Sequence, residues 1–360
     1  MAKQKSKQEN PQDAAKKKSI VPLIIGILFG LIALVGGGTY FYINSGINQV
    51  IQNDKDMLFK VYKGESLLKL CARMERIELI SNCMPLKLYS KVFPKYVAIK
   101  SGTYELKKNT ELSAFLLSVV GGKEKQYSFT IIEGENIYQV LEKLTTAKRL
   151  DNDLKGLSIK KVAEVLELPY ESPEGWLHPE TYNYSLDSSA SDLLKRAVDK
   201  QLNMLTSLWP DRSGNLTIIK PYQALILASI IEKESSADGE RDIISSVFHN
   251  RLRDGMRLQT DPTVIYGIWH EYDGDIKRSH LRQHTRYNTY RIDGLPPTPI
   301  ANPSKASIEA ALRPQDTSYY YFVASGTGKH VFSESLEQHN RAVRNYLRKQ
   351  RLESLKKTNG

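Results

Sequence analysis

Hydrophobic and polar positions divide the chain into three textures. Ile20–Ile43 is an apolar run of 24 residues without a charge, and about 20 apolar residues suffice to cross the hydrocarbon core of a bilayer as a helix. Lys16, Lys17 and Lys18 precede the run directly, whereas Asn44–Asn53 carries no Lys or Arg. The positive-inside tendency therefore predicts a transmembrane helix over 20–43, a cytoplasmic basic tail over 1–19, and everything after residue 44 on the other side of the membrane. Tyr40, Phe41 and Tyr42 stand where an aromatic belt would lie. A cleaved signal peptide fits poorly, because Gly-Gly-Gly-Thr-Tyr-Phe follows the apolar run and no small-residue cleavage site does.

After a polar linker at 44–56 a short pattern occurs twice. Leu58–Tyr62 is strand-like, Lys63-Gly64-Glu65-Ser66 turns, and Leu67–Met74 has helical spacing. About seventy residues later Ser128–Ile132, Glu133-Gly134-Glu135-Asn136 and Ile137–Leu144 repeat the sequence of elements. Glycine in each turn permits a positive φ, and Ser66 or Asn136 can cap the helix that follows. Between the copies, Gly102–Leu106 predicts a strand and Thr110–Val120 a helix with Thr110 as its cap. A small α+β subdomain is expected over 57–127.

From about residue 155 helices dominate. They are predicted over Ser191–Leu208, Tyr222–Ser235, Ile243–Leu252, Ser304–Leu312 and Leu336–Arg348, with a hairpin of Tyr319–Ala324 and His330–Phe332 across Ser325-Gly326-Thr327-Gly328. The expected architecture is α+β and mostly helical, with a small antiparallel element. Its main domain spans 128–345, and a basic C-terminal tail occupies 346–360.

Composition refines this picture. The 360 residues are 41% hydrophobic and 25% charged, with a formal net charge of +11. Six lysines against Glu9 and Asp13 in residues 1–18 account for +4 of it. The mildly basic remainder suits an anionic surface such as cell wall or lipid head groups; nothing beyond charge points to nucleic acid. Cys71 and Cys83 lie outside any C-x-x-C or zinc spacing. They fit a disulfide if that region is extracytoplasmic, or two reduced, buried thiols.

Candidate chemistry concentrates on one helix. Ala224–Ser235 is apolar nearly all round for two turns and ends in Glu232 and Glu234. Residues two apart lie about 200° apart around a helix, so these carboxylates cannot share a site. Glu234 extends the apolar row Leu227, Ile230 and Ile231, whereas Glu232 follows Leu225, Ala228 and Ser229. Lost hydration and the negative end of the helix dipole both favour the protonated form of Glu234. A carboxylic acid that keeps its proton near neutral pH is what a glycosidic bond needs to expel its leaving oxygen. Asp261 is a candidate second carboxylate, although an Asp before a Pro is also an ordinary turn residue. With no second carboxylate a one-acid mechanism remains: the sugar's C6 hydroxyl attacks the anomeric carbon and leaves a 1,6-anhydro end.

The segments Ala228–Ser235, Glu240-Arg241-Asp242, Val247–Leu252, Gly255–Gly267, Tyr287–Tyr290, Gly294–Ile300 and Tyr321–Ala324 together resemble the YceG-like endolytic murein transglycosylases. The loop Glu174-Gly175-Trp176 fits too, with Glu180 where Asp is more usual. The resemblance implies that Glu234 is the catalytic acid/base. It also implies an inner-membrane enzyme that cuts nascent peptidoglycan strands internally beside the glycan synthases, without a cofactor or metal. Glu234-Ser235 is similar to the Glu-Ser of lytic transglycosylases with lysozyme-like cores, and Val61–Leu67 resembles the opening of a glycan-gripping LysM module. Gln259, Asp261, Tyr266, Asn288 and Tyr290 lie in the matching segments and are of types that bind sugars.

Other chemistries find no foothold. H-E-x-x-H is absent, and His280 and His284 sit in a cationic loop with no acidic partner in the pattern. Ser325–Lys329 lacks P-loop spacing, and there is no G-x-S-x-G elbow. Two rivals to the transglycosylase stay open: a non-catalytic wall-binding scaffold that recruits synthases, and a two-carboxylate hydrolase that leaves reducing ends.

Overall fold

In the computed structural model, residues 21–358 are described, apart from 94–97, 187, 236–238 and 327; the predicted basic tail at 1–19 lies outside them. The chain divides into two compact units, 1–125 and 126–360.

The first unit begins with helix α1, Val21–Ile47, 27 residues long and about 40 Å at 1.5 Å per residue. Its side chains from Val21 to Tyr42 are exposed, and it is long and apolar enough to span a membrane. The helix does not stop where the apolar run stops. Its last turns pack on helix α3 (Met84–Val92): Gly46 lies so close to Pro85 that a Cβ would come within 2.3 Å of that ring, and Asn82 Nδ2 donates to Tyr42 Oη.

The linker expected at 44–56 is therefore partly built into the fold. Ile47 and Ile51 are buried, Ile51 N donates to Thr110 O, and Leu112 N donates to Gln49 O. Apolar side chains in an otherwise polar stretch are what anchor it.

Strand β1 (Met57–Val61), helix α2 (Leu67–Arg76), α3, strand β2 (Gly102–Leu106) and helix α4 (Leu112–Gly121) complete the unit. The strands pair antiparallel, Phe59 opposite Tyr104, over a core of Leu70, Met74, Leu106 and Phe115. Cys71 and Cys83 form a disulfide joining α2 to the start of α3, with Cα atoms 5.8 Å apart. Thr110 is not the cap of α4: its hydroxyl bonds back to Lys107 O, Glu111 takes the N-cap position, and the helix begins at Leu112. A threonine beside a turn can bond backward as readily as forward.

The second unit repeats the strand–turn–helix of the first. Strand β3 (Tyr127–Thr130) leads into helix α5 (Ile137–Thr145), helix α6 (Ile159–Val165) and strand β4 (Thr181–Tyr184), which pairs antiparallel with β3. The two turns share their bonding in detail. Gly64 and Gly134 both hold φ of 77°. Glu65 accepts from Tyr62 N and pairs with Arg73, while Glu135 accepts from Ile132 N and pairs with Lys143. Ser66 and Asn136 cap the helices, as their types predict.

Helices α7 (Ala190–Leu208), α8 (Pro221–Glu234), α9 (Arg241–Arg253), α10 (Asp261–Gly267), α11 (Arg278–Arg282) and α12 (Lys305–Leu312) follow. Strands β5 (Tyr321–Ala324) and β6 (His330–Ser333) form the predicted hairpin, and helix α13 runs from Leu336 to Thr358. The stretch 346–358, expected as part of a tail, thus continues that helix. Residues Ala224–Ile231 of α8 are all buried, packed among α7, α9, α10 and α12. Burial of eight consecutive side chains makes α8 the fixed axis of this unit, and its C-terminus is where the carboxylates emerge.

Candidate functional site

Glu232 and Glu234 leave α8 in different directions, as a two-residue offset requires. Glu232 accepts from Ser304 N at 2.8 Å and Ser304 Oγ at 2.5 Å, and Arg241 stands 3.9 Å from it. Ser304 is the N-cap of α12, so Glu232 fastens α8 to that helix and is spent on structure. Glu234 instead lines a cavity of about 330 Å³, whose wall also includes Arg251, Gln259, Asp261, Tyr290 and Tyr321.

Threonines hold the segment that follows Gln259 against Glu234. Thr260 Oγ1 donates to Glu234 Oε1. Thr260 N in turn donates to Thr289 Oγ1, and Thr263 Oγ1 donates to Thr260 O. Gln259, just before, adopts a left-handed φ of 52°, which costs a non-glycine residue roughly 1 kcal/mol. That turn aims Thr260 at Glu234 and starts α10 at Asp261. Asp261 Oδ1 accepts from Tyr290 Oη at 2.7 Å, which ties the two together at the rim.

Burial raises the Glu234 carboxyl above the ordinary carboxylate range. The Thr260 hydrogen bond opposes this, the Asp261 charge adds to it, and His330 opposes it. His330 reaches this neighbourhood through Glu240, whose carboxylate accepts from its backbone N and bonds its Nδ1 at 2.8 Å. The site can therefore hold a proton on Glu234, which is what protonation of a leaving oxygen requires.

Of the residues singled out from sequence, Glu234, Gln259, Asp261 and Tyr290 meet at the cavity. Tyr266 and Asn288 do not line it. Tyr266 is buried with its hydroxyl on Glu174 and its ring against Tyr138 and Tyr287. Asn288 is fully buried, and its Nδ2 bonds the carbonyls of His280, Leu281 and Gln283. An aromatic ring or an amide suits a sugar, and it suits a loop's interior equally well.

Thr260, Arg251 and the Glu240–His330 pair were not picked out as site residues. Thr260 is legible only as the neighbour of Gln259 and Asp261, and Glu240 and His330 meet across ninety residues of sequence. Glu174, which the sequence shows only as part of a loop that fits the resemblance, is another perturbed carboxyl. It is fully buried, accepts from Ile137 N, and is pushed up to about 8 by burial, against the bonds from Ile137, Tyr266 and Gly175.

The YceG-like family model matches residues 59–345. An endolytic murein transglycosylase of Bacillus subtilis is 30% identical over 87% of this chain and 91% of its own length. One from Streptococcus pneumoniae is 27% identical over 87% of this chain and 63% of its own length. A crystal structure of a YceG-like protein from Listeria monocytogenes aligns with a TM-score of 0.50 at 28% identity, covering 80% of this chain and 99% of that one. With the family model matched through both units and every residue lining the cavity, the chain belongs to the YceG-like family.

Proposed function

We propose that this protein is a membrane-anchored endolytic transglycosylase. It cleaves the MurNAc-β-1,4-GlcNAc bond within peptidoglycan strands and leaves 1,6-anhydro-MurNAc ends. The observation that carries the reading is Glu234: a carboxyl raised by burial, at a cavity, with one donor fixed on it. The names of the Bacillus and Streptococcus relatives point the same way.

In the proposed reaction the protonated Glu234 gives its proton to the glycosidic oxygen as the bond to the anomeric carbon breaks. The carboxylate so formed then takes the proton of the C6 hydroxyl, whose oxygen closes on the same carbon. Net, one C–O bond breaks, one forms, and water is not consumed. Thr260 supports the ionised stage, because its hydroxyl bonds the carboxylate.

Asp261 in the same cavity favours a second reading, hydrolysis by two carboxylates. Products separate the two. The full chain in detergent should convert uncrosslinked strands into fragments one water lighter than reducing-end fragments, detected by mass spectrometry, and Glu234→Gln should give none. Reducing ends would favour the hydrolase, and binding without cleavage the scaffold.

Single-pass anchoring of α1 with the remainder outside the cytoplasm belongs to the same proposal. The Cys71–Cys83 disulfide supports it, since such bonds persist in oxidising compartments. The first unit's order of strand, two helices and antiparallel strand supports a LysM-like, glycan-gripping role. A role in ending strand growth beside the glycan synthases follows from the same reading, and crosslinking in membranes would test it.

A further inference from the structure

Helix α3 is nine residues long, and its buried residues are Pro85 and Leu86. Met84 and Val92 are 48% and 65% exposed. Phe93, just past the helix end, is 45% exposed, with its ring centroid 4.6 Å from that of Tyr89. Leu88 is half-buried. Steps of four residues keep to one helix face, so Met84, Leu88 and Val92 form a single row. Lys87 and Lys91 form the row beside it. Both are exposed, and neither pairs with a carboxylate among the described residues. An apolar row flanked by lysines is the pattern of a helix lying in the boundary layer of a bilayer. There the apolar side chains reach inward, and the lysine stems lie along the surface with their ammonium groups among the head groups.

Scattered apolar residues are ordinary on a protein surface; what sets this row apart is where it begins. Asn82 Nδ2 donates to Tyr42 Oη at 3.2 Å, and Pro85 packs against Gly46. Tyr42 belongs to the expected aromatic belt, and the apolar run of α1 ends at Ile43. Gly46 lies three residues further, about 4.5 Å along the helix at 1.5 Å per residue. The head-group layer on each side of a bilayer is roughly 5–7 Å thick. With α1 in the bilayer, α3 therefore starts inside that layer.

We propose that α3 is an interfacial helix. Its Met84–Leu88–Val92 row, continued by Phe93, enters the bilayer beside α1, and Lys87 and Lys91 bind anionic lipid head groups of the leaflet from which α1 emerges. The inference rests on the membrane-anchored reading above and adds a second contact with lipid to it. Because α3 is packed on the last turns of α1 and tied to α2 by the Cys71–Cys83 disulfide, that contact holds the first unit against the membrane surface. The first unit is then seated on the membrane and does not hang from a tether.

Spin labelling of the full chain tests this. Cys71 and Cys83 are the chain's two cysteines and are joined, so a cysteine introduced elsewhere supplies the thiol that takes the label. Nitroxides are attached to Val92→Cys and, separately, to Leu34→Cys in the middle of α1, and each chain is reconstituted in vesicles of phosphatidylcholine and phosphatidylglycerol. Collisions with oxygen, which concentrates in the bilayer, are compared with collisions with a water-soluble nickel chelate. Oxygen should dominate strongly at Leu34→Cys and to an intermediate degree at Val92→Cys. Lys87→Gln and Lys91→Gln should each lower the docked-to-free ratio at Val92→Cys about fivefold. Neither should move the Leu34→Cys label or the unfolding midpoint. A Val92→Cys label open to nickel while the Leu34→Cys label is shielded overturns the inference and leaves the anchor standing. A Val92→Cys label reached by neither reagent also overturns it, in favour of a second copy covering the row. If both labels are open to nickel, the anchored reading fails and takes this inference with it.

Discussion

Two carboxylates of the second unit, Glu174 and Glu234, are both pushed upward by burial, yet they sit in opposite kinds of surroundings. Glu174 is enclosed: its oxygens accept from the first backbone N–H of α5, and Tyr266 closes over it. Glu234 opens onto a cavity, bonded among the described residues by Thr260 and with a second acid nearby. Desolvation alone therefore does not distinguish a reactive acid from a structural one. What distinguishes them is whether a substrate atom can reach the carboxyl, and whether its remaining lone pairs are already committed. By the same standard Glu232, two residues from Glu234, is structural, because Ser304 occupies it.

The sharpest way to break this contrast is to neutralise each acid in turn. Glu234→Gln should lower the cleavage rate by about 10²-fold or more while leaving thermal unfolding nearly unchanged. Glu174→Ala should do the reverse. Ile137 N–H and Tyr266 Oη lose their acceptor, at a cost of about 2–4 kcal/mol, and whatever folded protein remains should still cut strands. A Glu174→Ala protein that is stable but inactive would reverse the assignment.

A subtler separation uses pH. The folded chain holds a proton on Glu174 up to about 8, while the unfolded chain releases it near 4.5. Between those values the native state binds more protons, so the stability this group contributes is fully present at the acid end and is lost as pH rises to about 8, on the order of a few kcal/mol in all. Glu174→Gln keeps an acceptor but cannot ionise. It should flatten that part of the stability profile, measured as the unfolding midpoint against pH, and leave the pH–rate profile in place.

The smallest expected effects come from the neighbours of Glu234. Its proton must be present for the first step, so its pKa sets the alkaline limb of the rate profile. Thr260→Val removes a bond that favours the charged form, and should move that limb to higher pH and slow turnover about tenfold. Asp261→Asn removes a charge that favours the neutral form, and should move the limb to lower pH while anhydro ends are still made. Loss of all cleavage in a folded Asp261→Asn chain would instead favour the two-carboxylate route.

Much of this was legible before any coordinates. The apolar row on α8 pointed to Glu234 by its spacing, but burial does not separate the rows, since Leu225, Ala228 and Ser229 are as buried as Leu227, Ile230 and Ile231. The two acids differ in that Ser304 occupies Glu232 while Glu234 faces the cavity. Ser66 and Asn136 were readable as caps because each stands after a glycine turn and before a helical period. Local chemistry could not decide Thr110, whose hydroxyl had a carbonyl within reach behind it. Nor could it place Tyr266 and Asn288, because a sugar-binding aromatic and a core aromatic look alike in sequence. Thr260, Arg251 and the Glu240–His330 pair acquire meaning only when distant segments meet, and no periodicity encodes that meeting. The cysteines were undecided for a similar reason: only the approach of α2 to α3 shows that they pair.

The central claim is that one acid, Glu234, cuts the strand without water, and digestion in heavy-oxygen water tests it most directly. Uncrosslinked strands are treated with the full chain in labelled water, and the new ends are weighed by mass spectrometry. The account predicts anhydro ends free of label, made by the wild type and absent with Glu234→Gln. Label at the anomeric carbon of new reducing ends, released by the enzyme and dependent on Asp261, would contradict it.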